Sequence, residues 1–202
     1  MNTNRDKKGG RWVLWLIFAM GALPFFAALY LVKHPGLWGK PGNYGTLITP
    51  AVPVSYEVFR DPQTVQAVHS LQEIRGRWVI IHLLADEDGK QCRQVLESTR
   101  LLHPLFSKDI PRVRRLAVWS EATPPSREFL SSLARERDLY LAEVDQEFLS
   151  RLSEDILHTP LSCGQVVLMD PLGNLMMWYD AGFDPYGLYH DLKRLLRGSQ
   201  IG

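Results

Sequence analysis

The sequence predicts an α/β fold, a mixed sheet flanked by helices, preceded by one transmembrane helix. Two features predict it: an uncharged apolar segment near the N-terminus and, after it, apolar runs that alternate between strand spacing and helix spacing. The 202 residues suffice for one such domain beside the apolar segment. Charged residues at 22% and hydrophobic residues at 46% are ordinary globular values, and a net charge of +1 gives no sign of nucleic-acid binding.

The apolar segment is predicted to be a membrane anchor. Residues 12–32 carry no charged side chain and are long enough to cross a hydrocarbon core of about 30 Å, and transmembrane helices tolerate a proline such as Pro24. By the positive-inside tendency, the basic residues before it place residues 1–11 in the cytoplasm. We therefore expect a single-pass protein of the bacterial inner (cell) membrane with a periplasmic C-terminal domain. A mitochondrial inner membrane and a cleaved signal peptide are the alternatives.

Glycine and proline punctuate the next stretch. Four of each lie between His34 and Pro53, which predicts a linker over residues 33–53 and a folded domain over residues 54–202. The domain then begins with Arg77 to Ala85, a nearly continuous apolar run typical of a buried central strand. An amphipathic helix is predicted after it, and its apolar stripe is spaced by three or four residues: Cys92, Val95, Leu96, Thr99, Leu102 and Phe106.

The remaining elements complete one plan. Strands and helices are predicted in alternation, followed by a hairpin around the turn Pro171 to Asn174: strand 113–119, helix 125–137, strand 139–144, helix 146–152, strands 165–170 and 175–180. A last helix starts at the N-cap Asp184 and Pro185 and ends before Gly198. The order strand-helix-strand-helix and then hairpin-helix is that of a thioredoxin-like sandwich.

Two cysteines and one histidine are the candidate site. Cys92 lies one turn into the first domain helix, directly after the central strand, where thioredoxin-like proteins hold reactive thiols. A second cysteine within a few residues is lacking, which excludes exchange by a local pair. In this fold the loop with His158 and Cys163 comes near that helix. Three interpretations stay open: two unrelated cysteines with Cys92 a small core residue, a disulfide, or a two-thiolate Cu(I) site with His158.

Several stretches resemble a known family. GRWVIIHLLADEDGKQC, RVRRLAVW, the segment NYGTLITP and VVLMDPLGNLMMWYDAGFDPYGLYHDLKRLL are similar to the single-anchored, Sco-like proteins of proteobacteria that accompany cytochrome c oxidase assembly. The resemblance covers roughly residues 10 to 202. It implies a thioredoxin-like fold, a place in the respiratory chain, and oxidase subunits or assembly factors as partners.

The same resemblance bears on copper. The Sco family proper holds copper with a C-x-x-x-C pair and a distant histidine. In this chain the second cysteine matches Cys92, but the first falls on Asp88 and the histidine on Ser162, and neither is a good Cu(I) ligand. We therefore expect an accessory protein that acts by binding and not by catalysis. The alternatives are a copper chaperone or thiol-disulfide reductant that uses Cys92 with Cys163, and an interaction domain unrelated to respiration.

Overall fold

The computed structural model describes residues 7–34, 42–85, 90–199 and 201, with side chains from residue 12 onward. The chain forms two compact units, Met1–Gly42 and Asn43–Gly202. The first unit contains the helix α1, Lys7–Lys33, with Pro24 inside it. Within α1, the segment Trp12–Lys33 is 22 residues long and apolar enough to cross a membrane.

The second unit is built on one six-stranded mixed sheet, with strand order β1-β6-β5-β2-β3-β4. The strands β2, β3 and β4 are parallel, whereas β5 pairs antiparallel with β2, β5 and β6 form an antiparallel hairpin, and β1 pairs antiparallel with β6. The strands are β1 Thr46–Pro53, β2 Trp78–Leu83, β3 Val113–Ser120, β4 Leu139–Val144, β5 Val166–Met169 and β6 Asn174–Tyr179. The predicted fold class, a mixed sheet flanked by helices, is confirmed.

Helices cover both faces of this sheet. Besides α1, the α-helices are α2 Lys90–Leu102, α3 Arg127–Leu133, α4 Gln146–Arg151 and α5 Pro185–Gly198. Among the described residues, three 3-10 segments and one π-helical segment occur as well: Tyr56–Val58, Leu71–Ile74, His103–Arg112 and Leu152–Leu157. The predicted stripe of α2 is buried as expected, and Asp184 caps α5 by accepting the Tyr186 amide at 3.0 Å. Gly198 is the last residue of α5 and does not follow it.

The linker predicted over residues 33–53 is wrong for its second half, because residues 46–53 form β1. Pro50 and Pro53 of β1 fit a strand at the edge of the sheet, where only one side of the strand must supply amides to a neighbour. Thr46 and Leu47 pair with β6, the pairing shifts register, and Val52 and Pro53 pair again. The compact unit accordingly begins at Asn43, upstream of the predicted residue 54. Of the linker, residues 35–41 lie outside the described residues.

Two helical layers follow from the core packing. On one face of the sheet, α2, α3 and α5 bury apolar side chains against the strands in two clusters. On the other face, the segments Tyr56–Val58, Leu71–Ile74, α4 and Leu152–Leu157 pack on a third cluster. The strand β2 lies between both layers and all six of its residues are buried. This explains its sequence, which is apolar except for His82.

Candidate functional site

Cys92 is the third residue of α2, at the carboxyl end of the central strand β2. Its side chain is only 2% exposed and faces the sheet as part of the α2 stripe. The neighbours are apolar side chains of β3, α3 and β4, among them Trp119 and Phe129. The Cys92 sulfur also lies 3.8 Å from the carbonyl oxygen of Leu83, the last residue of β2. Cys92 is therefore a core side chain in the first turn of α2.

Cys163 lies in the loop before β5, and this loop is fixed by Gln165. The Gln165 side chain accepts the Ser162 amide at 2.9 Å and donates to the Pro160 carbonyl and to Asp180, each at 3.2 Å. These bonds satisfy a side chain that is 2% exposed and hold the loop against the hairpin. Gly164 follows with φ +92°, a conformation that favours glycine.

The two cysteines form a disulfide. Their Cα atoms are 4.8 Å apart although 71 residues separate them in sequence. Of the three interpretations left open by the sequence, the structure contains the disulfide. Cys163 is 4% exposed, so both sulfurs are covered by the cluster that surrounds α2 and α3. Because the chain has only these two cysteines, neither is a free thiol.

His158 does not join them in a common site. It is exposed, has φ 52° at the end of the π-helical segment, and its Nδ1 lies 2.6 Å from the Glu154 carbonyl oxygen. Because a carbonyl oxygen can only accept, Nδ1 is the donor in this contact. The ring lines a groove of about 460 Å³ together with residues 46–50, Asp155 and Trp178. The structure therefore associates His158 with the β1 edge of the sheet.

The copper site implied by the resemblance does not fit the described residues. The sulfurs of Cys92 and Cys163 are bonded to each other and hold no thiolate for a metal. Ser162 presents its amide to Gln165, and Asp88, together with Asp86 and Glu87, lies outside the described residues. In the part of the chain that the structure describes, no group of three or more His, Cys, Asp and Glu side chains could hold a metal ion.

Sequence reasoning missed a buried polar network beside the disulfide. Arg115, on β3, has no exposure, and its guanidinium donates to the Leu96 carbonyl at 2.6 Å, to Asp138 at 2.9 Å and to Glu136 at 3.2 Å. Its Nε donates to the Thr99 hydroxyl at 3.2 Å. The signal in the sequence was the pair Arg114-Arg115 inside an apolar strand, which requires one arginine to face inward and to find partners there.

His82, on β2, is a second buried titratable residue of this network. Its Nε2 lies 3.2 Å from the Thr99 hydroxyl, and that hydroxyl donates its own proton to the Leu96 carbonyl at 3.0 Å. His82 Nε2 is therefore the donor, and Nδ1 is a buried acceptor with no partner among the described residues. Burial, and then the nearby Arg115 charge, hold the pKa of His82 well below its usual value. The imidazole is neutral in the folded protein.

The class of the protein follows from this geometry: it is a thioredoxin-like domain with an N-terminal apolar helix. The chain belongs to the family described as "Transmembrane-like, thioredoxin-like, C-terminal domain", which residues 78–199 match. Together with the candidate span in α1, this family suggests a membrane anchor. No curated protein matches the chain in sequence.

Solved structures confirm the fold. Apo Sco1 from Thermus thermophilus is 13% identical, with 78% of this chain and 99% of that chain covered at a TM-score of 0.53. A putative electron transfer protein from Aquifex aeolicus VF5 is 14% identical, with 74% and 95% covered at 0.53. A DsbF homologue from Corynebacterium diphtheriae is 10% identical, with 77% and 96% covered at 0.51. At these identities the likeness shows the thioredoxin-like fold alone.

Proposed function

We propose that this protein is a membrane-anchored, Sco-like accessory factor of cytochrome c oxidase assembly that acts by binding. The Sco-like motifs of the sequence and membership of a transmembrane-like, thioredoxin-like family support this role. In its topology, residues 1–11 are cytoplasmic, residues 12–32 cross the bacterial inner membrane, and the domain from Asn43 onward is periplasmic. The proposed partners are oxidase subunits or other assembly factors.

The disulfide is the observation that favours a binding role over a catalytic one. A thiol reductant or a Cu(I) chaperone needs accessible thiolates, whereas Cys92 and Cys163 are bonded to each other and are 2% and 4% exposed. The compartment proposed for the domain is oxidising, which maintains such a crosslink. The disulfide then has a structural role, and the surface of the domain binds the partner proteins.

Deletion and complementation test this role. We expect deletion of the gene to lower the content of assembled oxidase in membranes, measured by its haem spectrum, and a Cys92→Ala, Cys163→Ala double variant to restore it whenever the variant accumulates to the wild-type level. Unchanged oxidase content after deletion would contradict the link to respiration. Crosslinking in intact membranes, followed by identification of the captured proteins, then names the partner.

A second candidate is a thiol-disulfide reductant, and the position of Cys92 favours it. Cys92 is the third residue of α2, the helix that follows the central strand β2 in the chain, where helix amides stabilise a thiolate once the pair is reduced. In this reaction the two thiols of Cys92 and Cys163 become the observed disulfide, while a partner disulfide takes up two electrons and two protons and becomes two thiols.

Alkylation under native conditions separates the two candidates. A structural disulfide predicts no reaction of the folded chain with a thiol reagent at millimolar glutathione, and reaction of two thiols only after unfolding in reductant. Rapid native reduction would favour the reductant. The copper chaperone is tested by Cu(I) titration after reduction, in which stoichiometric tight binding that Cys92→Ser abolishes would replace the accessory role.

A further inference from the structure

The two helical layers of the domain carry opposite charge. On one face of the sheet, α2, the segment His103–Arg112 and α5 with its cap have eight basic and four acidic residues: Lys90, Arg93, Arg100, Lys108, Arg112, Lys193, Arg194 and Arg197 against Glu97, Asp109, Asp184 and Asp191. The helix α3 of the same layer adds one of each sign, Arg127 and Glu128. The opposite layer, counted with its caps in the same way, has two basic and six acidic residues: Arg75 and Arg151 against Glu57, Glu73, Asp145, Glu147, Glu154 and Asp155. The whole chain has a net charge of only +1. The asymmetry therefore arises from placement.

We call the surface formed by α2, the segment His103–Arg112 and α5 the basic face. Most of its acidic groups form ion pairs or hydrogen bonds within the domain. Glu97 pairs with Arg100, with the two groups 2.8 Å apart, and Asp109 pairs with Arg112 at 3.1 Å. Asp191 is buried and accepts three hydrogen bonds from within the domain. Most of the negative charge of this layer is thus neutralised locally, and the exposed side chains give the surface a positive potential.

The basic face also exposes aromatic and apolar side chains. Tyr186 is 60% exposed, and Leu101 and Leu105 are 62% and 46% exposed. Lys193 lies over the ring of Tyr189, with its Nζ 4.9 Å from the ring centroid. Basic residues interspersed with tyrosine and leucine on one helical face are the composition of a surface that binds at the lipid-water interface.

We propose that the basic face binds anionic lipid headgroups of the membrane to which the chain is anchored. This rests on the membrane-anchor part of the proposed function. Residues 35–43 connect the candidate span to the domain, and nine extended residues reach at most about 32 Å. So short a tether keeps the lipid surface at a high effective concentration, so that weak contacts of single lysines and arginines add up to stable docking. An anionic surface also complements the charge of this face, whereas it would repel the acidic layer opposite.

The full chain in lipid nanodiscs provides the test. We compare hydroxyl-radical oxidation of Tyr186 in nanodiscs of phosphatidylcholine alone and of phosphatidylcholine with phosphatidylglycerol, using Leu172, which is 71% exposed in the hairpin turn, as internal reference. The expected result is oxidation of Tyr186 that is about 3-fold slower with phosphatidylglycerol, unchanged oxidation of Leu172, and loss of the protection at about 0.5 M salt.

Matched charge reversals give the control. Lys90→Glu, Lys108→Glu and Arg197→Glu, all exposed in the folded domain, are expected to abolish the protection of Tyr186. Arg135→Glu, Arg137→Glu and Arg151→Glu change the net charge equally elsewhere and should retain it. Equal oxidation in both lipids, or protection that survives the first set, overturns the proposal. Protection in native membranes alone would identify a protein as the occupant and would equally overturn it. Failure of the chain to enter nanodiscs at all would instead contradict the anchor.

Discussion

Arg115 is a fully buried cation in the core of the domain. The free energy of burying its charge depends on the groups that bind it. Its guanidinium joins the middle of α2, through the Leu96 carbonyl, to Glu136 and Asp138 in the loop before β4. Taking a charge out of water costs several kcal/mol, which only paired and hydrogen-bonded neighbours offset. Arg115 therefore links β3 to α2 and to the loop before β4 by polar contacts.

Replacement of Arg115 by alanine should destabilise the domain strongly. The change removes the cation shared by two carboxylates and one of the donors to the Leu96 carbonyl, and loss of one member of a buried ion pair costs about 3–5 kcal/mol. The free energy of unfolding in urea measures the effect. Arg114→Ala is the matched control, since Arg114 is only half-buried and donates to carbonyls of its own loop. We expect about 1 kcal/mol or less there, and equal costs at the two positions would contradict this account.

His82 and His103 make the stability depend on pH. Burial is the main cause that lowers the pKa of each below its usual value. The unfolded chain then binds more protons near pH 6, so their contribution to stability is complete above the unfolded pKa of about 6.5 and is lost as the pH falls below it. While one such group is protonated only in the unfolded state, the loss is about 1.4 kcal/mol per pH unit.

The pH dependence is measured by unfolding in urea between pH 7.5 and 5.5. We expect the wild-type stability to fall steadily over this range and His82→Gln to fall less steeply, whatever its absolute stability. His190→Gln, on the exposed side of α5, should leave the slope unchanged. A wild-type stability that is flat with pH would show that His82 is not kept neutral by folding.

At the scale of elements, the edge strand β1 depends on one buried carboxylate of α5. Asp191 accepts the amides of Tyr44 and Gly45 at 2.7 and 2.9 Å and the Tyr179 hydroxyl at 2.9 Å. Burial and the Asp191 charge raise the pKa of Tyr179, which keeps the phenol protonated as a donor. The chain thus enters β1 at a fixed point of the last helix.

Asp191→Leu should release this entry point. The variant removes the acceptor of three donors, two of them in buried hydrogen bonds, and each buried group left unsatisfied costs about 1–3 kcal/mol. We expect faster amide exchange at residues 44–47 than in the wild type, with β2 and β3 unchanged. Asp155→Asn, an exposed carboxylate outside this contact, serves as control. Exchange that accelerates equally in all strands would indicate global destabilisation and not a local role.

Predictability from sequence differed between elements for physical reasons. The strand β2 and the stripe of α2 could be predicted because burial imposes an apolar pattern on them. The strand β1 could not, since its Gly and Pro content indicates a loop, and its pairing with β6 depends on contacts with residues more than a hundred positions away. The proximity of Cys92 and Cys163 followed from the fold plan. Their bonding did not follow, nor did the separation of His158 from them, because loop geometry decides both.

For the whole molecule, the disulfide is a long-range crosslink between α2 and the loop before β5. It joins positions 71 residues apart, and the chain between them contains β3, α3, β4 and α4. A crosslink that closes a long loop stabilises the folded state mainly because it restricts the unfolded chain. The crosslink therefore acts on the stability of most of the domain, whatever the domain binds.

Reduction should lower the free energy of unfolding by about 4 kcal/mol, the chain-entropy value for a loop of this length. The measurement is urea unfolding of the full chain in detergent micelles, followed by circular dichroism with and without dithiothreitol. A Cys92→Ala, Cys163→Ala double variant is the control and should unfold identically in both conditions. Because both sulfurs are buried, native reduction must await local opening, so the shift should appear only after the chain has been unfolded and refolded in reductant. An immediate shift would mean that the native disulfide is open to exchange, and it would favour the thiol-disulfide reductant over the binding protein.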